Sequence, residues 1–84
     1  MSRRTLLRRL LRGSFNVSFG DMANLVEGFG FHLARTRGSH HIFSRPEVPE
    51  LVNLQEVGGQ AKPYQVRQFL KLVERYNLRL EEER

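Results

Sequence analysis

The chain has no cysteine among its 84 residues, which excludes disulfide staples and any thiolate metal site. It has no apolar run near the roughly 20 residues that span a bilayer. The leucine-containing stretch 3–12 lacks the hydrophobic centre and small-residue cleavage site of a secretory signal. Together these place the expected location in the cytoplasm, with no membrane involved. Three histidines are present, but no pair of them stands at helical spacing and no aspartates cluster nearby. Neither a metal nor another cofactor is therefore expected. Gly58-Gly59 lacks the lysine and hydroxyl residue of a nucleotide-binding loop. Ser39 adjoins His40, but neighbours on a strand point to opposite faces, and no strand-to-helix elbow presents the serine as a nucleophile.

Acidic residues are scarce in the first half. Residues 1–45 hold eight arginines against Asp21 and Glu27, a net of +6, while residues 46–84 hold six basic and seven acidic residues, a net of −1. The first half thus presents a field suited to a polyanion or to an acidic protein. A chain this short permits one domain with a thin core.

The hydrophobic spacing divides it into six elements. Leu6, Leu7, Leu10 and Leu11 form one stripe of a short helix over 3–12, with arginines on the rest of the surface and Gly13 as a C-terminal cap. Ser18 and Asp21 open a second helix in the manner of a capping box, with Val17 set to staple onto Met22. Its core stripe is Phe19, Met22, Ala23, Val26 and Phe29, widened by Leu25 and stopped by Gly28 and Gly30. The period then changes to two. Over 31–37, regular alternation puts Phe31, Leu33 and Arg35 on one face and His32, Ala34 and Thr36 on the other. Gly38 permits a tight turn. Over 39–45, Ser39, His41 and Phe43 share one face and His40, Ile42 and Ser44 the other, up to Pro46. A loop over 47–50, a third strand over 51–54 and a flexible connector over 58–62 follow. Pro63 begins the last helix, whose stripe is Val66, Phe69, Leu70, Val73 and Tyr76. Leu72 falls off that stripe, Gln65 belongs to the wet face, Asn77 is a stop, and residues 81–84 read as a frayed charged tail.

The expected fold is α+β: two helices packed on one face of a three-stranded antiparallel sheet, with an extra N-terminal helix. The expected divisions are a basic amphipathic extension over 1–17, the domain over 18–78 and a tail over 79–84. One sheet face is left open for a partner or RNA.

The chemistry on offer there is proton transfer. His40 and His41 begin a strand immediately after a turn, flanked by Arg35, Arg37 and Arg45. Cleavage of RNA through its own 2′-hydroxyl asks a protein for a proton acceptor, a proton donor and positive charge at the phosphate. One histidine and an arginine can supply these. Two other readings stay open. One is a non-catalytic RNA-binding module of the same fold, although only Lys62 and Arg67 stand at the start of the last helix, few for duplex binding. The other is a protein acting only through protein partners.

The order Asp21-x3-Leu25-x4-Gly30-Phe31, six residues, then Gly38-Ser39-His40-His41-Ile42-Phe43, an apolar strand and a final helix resembles the HicA toxin family over about residues 18–78. That resemblance implies a fold like the double-stranded-RNA-binding domain. It also implies metal-independent endoribonuclease action on mRNA, by an mRNA interferase of a type II toxin–antitoxin system, neutralised by a HicB-like antitoxin. It assigns the catalytic histidine of Gly-Ser-His to His40, with Gly38 holding the turn and Ser39 and His41 in support. Arg35, Arg37 and Arg45 are the candidates for phosphate and RNA binding. Many members carry Pro-x-His after the third strand, where this chain reads Asn53-Leu54-Gln55-Glu56-Val57.

Overall fold

Side-chain caps fix where the first two helices begin. In the computed structural model, which describes residues 2–81, the Ser2 hydroxyl accepts the Thr5 amide at 3.1 Å and opens α1 (Arg3–Leu11). The Ser18 hydroxyl does the same for the Asp21 amide at 3.2 Å and opens α2 (Phe19–Gly28). The sheet follows as β1 (His32–Arg37), β2 (His40–Arg45), β3 (Val48–Val57) and β4 (Gln60–Ala61), antiparallel in that spatial order. Pro63 then starts α3 (Pro63–Arg75). Asn77 closes α3 in the left-handed region at φ 50°, with the Leu78 amide donating to the Val73 carbonyl at 2.9 Å. This is the paired closure that uses up a helix's last carbonyls.

The helix–sheet–helix arrangement with an extra N-terminal helix is present, and the sheet has four strands where three were expected. Of the loop expected over 47–50 only Glu47 lies in the turn, because β3 begins at Val48. Pro49, which has no amide hydrogen to give a ladder, falls where Pro49, Glu50 and Leu51 stand opposite the single residue Ser44. The stretch 58–62 is not a flexible connector either. Gly58 and Gly59 have φ of 60° and 79°, the two positive values of a two-residue hairpin turn, and they fold β4 back on β3. β4 is also clamped from its other side: the Ala61 amide donates to the Val17 carbonyl at 3.1 Å, and the Phe19 amide to that of Gly59 at 2.9 Å.

One core lies between the helices and the sheet. Phe29, Phe31 and Phe69 meet edge to face, with centroids 5.5 and 5.8 Å apart. Such pairs add about 0.5–1.5 kcal/mol each beyond the area they bury. Val17 and Met22 are both buried, as are Leu6 and Leu10 of α1, in the same cluster. α1 is further tied to α2 by the Arg3 guanidinium, which donates to the Asn24 side-chain oxygen at 2.8 Å.

Two residues of α3 differ from expectation. Leu72 is buried against the sheet side, whereas Leu70 and Val73 are half-buried. Gln65, expected in water, is 3% exposed, and its oxygen accepts the Gln55 amide at 2.6 Å. β4 is only two residues long, so this amide lies beyond its reach, and the glutamine continues the ladder. Gly28 differs as well, being the last residue of α2 and not its stop. A Cβ there would come within 2.7 Å of the Arg3 side chain and 2.8 Å of Leu80, so the position is one of close approach. The Glu81 amide donates to the Gly28 carbonyl at 2.8 Å, and Leu78 and Leu80 pack on the core. Of the tail expected to fray, residues 82–84 lie outside those described.

Candidate active site

β1 and β2 are joined by Gly38 and Ser39 alone. Gly38 has φ 58°, and no such value falls on Ser39, the pattern of a hairpin turn that requires glycine at its first central position. A Cβ at Gly38 would meet nothing, so its necessity is conformational and not spatial. The turn sets Arg37 opposite His40.

Directly opposed residues on antiparallel strands share a face. Phe43 pairs with Val52 and His41 with Leu54, and both β3 partners are buried under the helices. His40, paired with Gln55, and Ile42, paired with Asn53, therefore occupy the open face. The placement of the arginines depends on a bulge. Leu33 pairs with Phe43, yet Arg35, two residues on, pairs with Ile42, so Ala34 is an extra residue in β1. The regular alternation expected over 31–37 thus breaks at Ala34. Arg35 does not join Leu33 and Phe31; it lies on the open face with Arg37, Ile42 and His40.

His40 is half-buried, and its Nδ1 lies 3.2 Å from Oδ1 of Asn53. An amide oxygen only accepts, so Nδ1 carries the hydrogen and donates it. In the neutral ring this leaves Nε2 with the lone pair. No carboxylate stands on this face of the strands: the open-face positions of β3 from Leu51 to Val57 are Leu51, Asn53, Gln55 and Val57. Among the described residues, no group of three or more histidine, aspartate or glutamate side chains is arranged to hold a metal.

The other proposed site residues divide. His41 lies on the helix side, its ring 4.5 Å from that of Phe19 and its Nδ1 donating to the Ser39 carbonyl at 3.2 Å. It fastens the turn to α2. Ser39 also contributes its carbonyl to the Glu56 amide at 3.0 Å, so it ties the turn to β3. Arg45 is not brought to His40. Its partner in β3 is the buried Val48, and its guanidinium donates to the Phe29 carbonyl at 2.7 Å and to Glu47 at 2.6 Å. That bond holds the Glu47 carboxyl below its ordinary range. Arg45 secures the end of α2 and does not face the site.

Asn53 is the partner of His40 that motif reading passed over. The available signal was a polar side chain between the apolar Val52 and Leu54. Its pairing with His40 depends on the β2–β3 register, which no local pattern reveals.

Neither the curated proteins nor the solved structures contain a match to this chain. A family model described as the HicA toxin of bacterial toxin–antitoxin systems matches residues 20–74, which run from the first turn of α2 almost to the end of α3 and take in the whole sheet. Since that match covers most of the 84 residues and every strand of the site, this chain belongs to the HicA toxin family and is a toxin of a toxin–antitoxin pair.

Proposed function

We propose that this toxin is an endoribonuclease that cleaves mRNA through the RNA's own 2′-hydroxyl, with His40 as the proton-transfer group. The observation that carries the reading is the His40–Asn53 hydrogen bond on an open face that also bears Arg35 and Arg37. Nδ1 is occupied as a donor, so Nε2 is the acceptor that takes the 2′-hydroxyl proton. The 2′-oxygen forms a bond to phosphorus, and the bond from phosphorus to the 5′-oxygen breaks. The same proton then passes from Nε2 to the departing 5′-oxygen. The products are a 2′,3′-cyclic phosphate and a free 5′-hydroxyl. Arg35 and Arg37 offset the charge that builds on the non-bridging oxygens, where fixed donors act most strongly. Among the described residues the strands of this face bear no carboxylate to anchor a hydrated divalent ion, and the proposed route asks for none. The neutralising partner is a HicB-like antitoxin that covers this basic face with carboxylates.

The test uses antitoxin-free protein in excess chelator, with one RNA strand and a twin carrying deoxyribose throughout. Cleavage of the RNA alone, with cyclic phosphate ends and loss in a folded His40→Ala variant, is the expected result. Cleavage of both strands, or a strict magnesium requirement, refutes the mechanism. Binding without cleavage by the folded protein replaces it with a non-catalytic RNA-binding role.

A further inference from the structure

The helix layer carries a second surface, separate from the open sheet face. A cleft of about 250 Å³ runs between α1 and α3. Leu7 and Leu11 of α1, Phe15 of the connector, and Leu70 and Val73 of α3 line it. Leu11 is 66% exposed, and the other four are only partly buried. No described segment of the chain fills this space.

The lining has the form of a seat for one more helix. Leu7 and Leu11 stand four apart on α1, and Leu70 and Val73 three apart on α3. These are the spacings of the ridges between which a third helix packs. The banks are cationic. At 100° per residue, Arg8 lies about 60° round the α1 axis from Leu11, and Arg67 and Lys71 stand one turn apart on the α3 bank. The Arg67 guanidinium lies 5.3 Å from the centre of the Phe15 ring, which fixes both at the rim. Glu74 is the one carboxylate in the lining. A nucleic acid would meet the cations but gain nothing from the apolar floor, whereas an amphipathic helix uses both.

We propose that this cleft docks an acidic amphipathic helix of a partner protein, leucine-like anchors seated on Leu11 and Phe15 and carboxylates facing Arg8, Arg67 and Lys71. The site is distinct from the His40 face and does not depend on the reaction proposed for it. α1 and Phe15 lie outside the residues 20–74 that match the family model, so half of the cleft comes from residues beyond that match.

The experiment titrates the isotope-labelled full chain with three synthetic peptides. One is helical with leucines at i, i+3, i+4 and i+7 and glutamates beside them; the second has lysines for the glutamates; the third is a scramble of the first. The glutamate peptide is expected to move the amide signals of Leu11, Gly13, Phe15 and Leu70 while leaving those of Arg37, His40 and Asn53 in place. L11E, at a solvent-exposed position, is expected to weaken it about tenfold, the scale of a central interface anchor. R8E/K71E is expected to reverse the preference towards the lysine peptide. Equal binding of the two charged peptides, shifts confined to the sheet, indifference to L11E or no binding of the glutamate peptide each overturn the proposal.

Discussion

Replacing Asn53 by alanine removes one hydrogen bond from His40 and leaves the imidazole itself in place. The bond is 3.2 Å long and joins two side chains at the surface. A bond of this kind contributes about 0.5–1.5 kcal/mol net. If it selects the tautomer with the hydrogen on Nδ1, losing it shifts the ratio of the two tautomers by a similar amount, away from rings with Nε2 ready to accept. At 1.36 kcal/mol per factor of ten the tautomer ratio changes about 2- to 13-fold, and because the competent fraction cannot exceed one, kcat/KM for RNA is expected to fall by no more than about 13-fold in Asn53→Ala. Loss of the histidine itself is expected to cost about 10²- to 10⁴-fold. Asn53→Asp places a full charge beside the ring and is expected to displace the pH–rate profile to higher pH, because the charged ring is then favoured. Two measurements check this: single-turnover cleavage across pH, and nitrogen chemical shifts of the labelled imidazole, which report the tautomer directly. Asn53 is exposed, so the melting temperature should change little. An alanine variant with unaltered rate and tautomer, or one as dead as His40→Ala though folded, would refute the reasoning.

Arg35→Ala and Arg37→Ala are each expected to lower cleavage with the fold intact, whereas Arg45→Ala is expected to lower the melting temperature and leave cleavage by the remaining folded protein near normal; the paired assays separate the two classes. Gln65→Leu strands the Gln55 amide and should cost about 1–3 kcal/mol in urea unfolding, the penalty for an unpaired buried donor. Glu47→Gln removes a carboxylate whose pKa Arg45 holds down, so its stabilisation exists above the ordinary carboxylate range and disappears as pH falls through the lowered value. The melting gap between wild type and Glu47→Gln should therefore be present at neutral pH and close on acidification. The Tyr76 hydroxyl donates to Glu50 at 3.0 Å, which raises its pKa. The matching contribution is present below the ordinary tyrosine range and fades as pH rises through the raised value, so Tyr76→Phe should differ from wild type at neutral pH and converge with it in strong alkali.

The sequence was most legible where structure is local. The Ser18 cap, the Gly38 turn, Pro63 at the start of α3 and the stripe of α2 each follow from residues within one turn of one another. Alternation along β2 also set His40 and His41 on opposite faces. What escaped depends on a neighbour that is distant in sequence. β4 exists because Val17 and Gly59 supply partners on its two sides, so Gly58-Gly59 read alone looked merely flexible. Gln65 is buried because β4 stops short of Gln55. In the candidate site, the placement of His40 on the open face was readable from alternation along β2. The sidedness of Arg35 was not, since it hangs on an extra residue that only pairing with β2 exposes.

That extra residue has a consequence of its own. A bulge is a count, not a functional group, and no exchange of one side chain for another supplies or removes it. The six residues between Phe31 and Gly38 hold one more than flat pairing uses, and this surplus lets a single strand serve two layers. Its first half keeps Leu33 on the face of Phe43, and its second half carries Arg35 and Arg37 on the open face with His40. The interval from Gly30-Phe31 to Gly38-Ser39-His40 is in this sense a ruler. A change of spelling along it leaves the arginines aimed as they are, whereas a loss or gain of one letter turns both to the wrong side without disturbing a single buried residue.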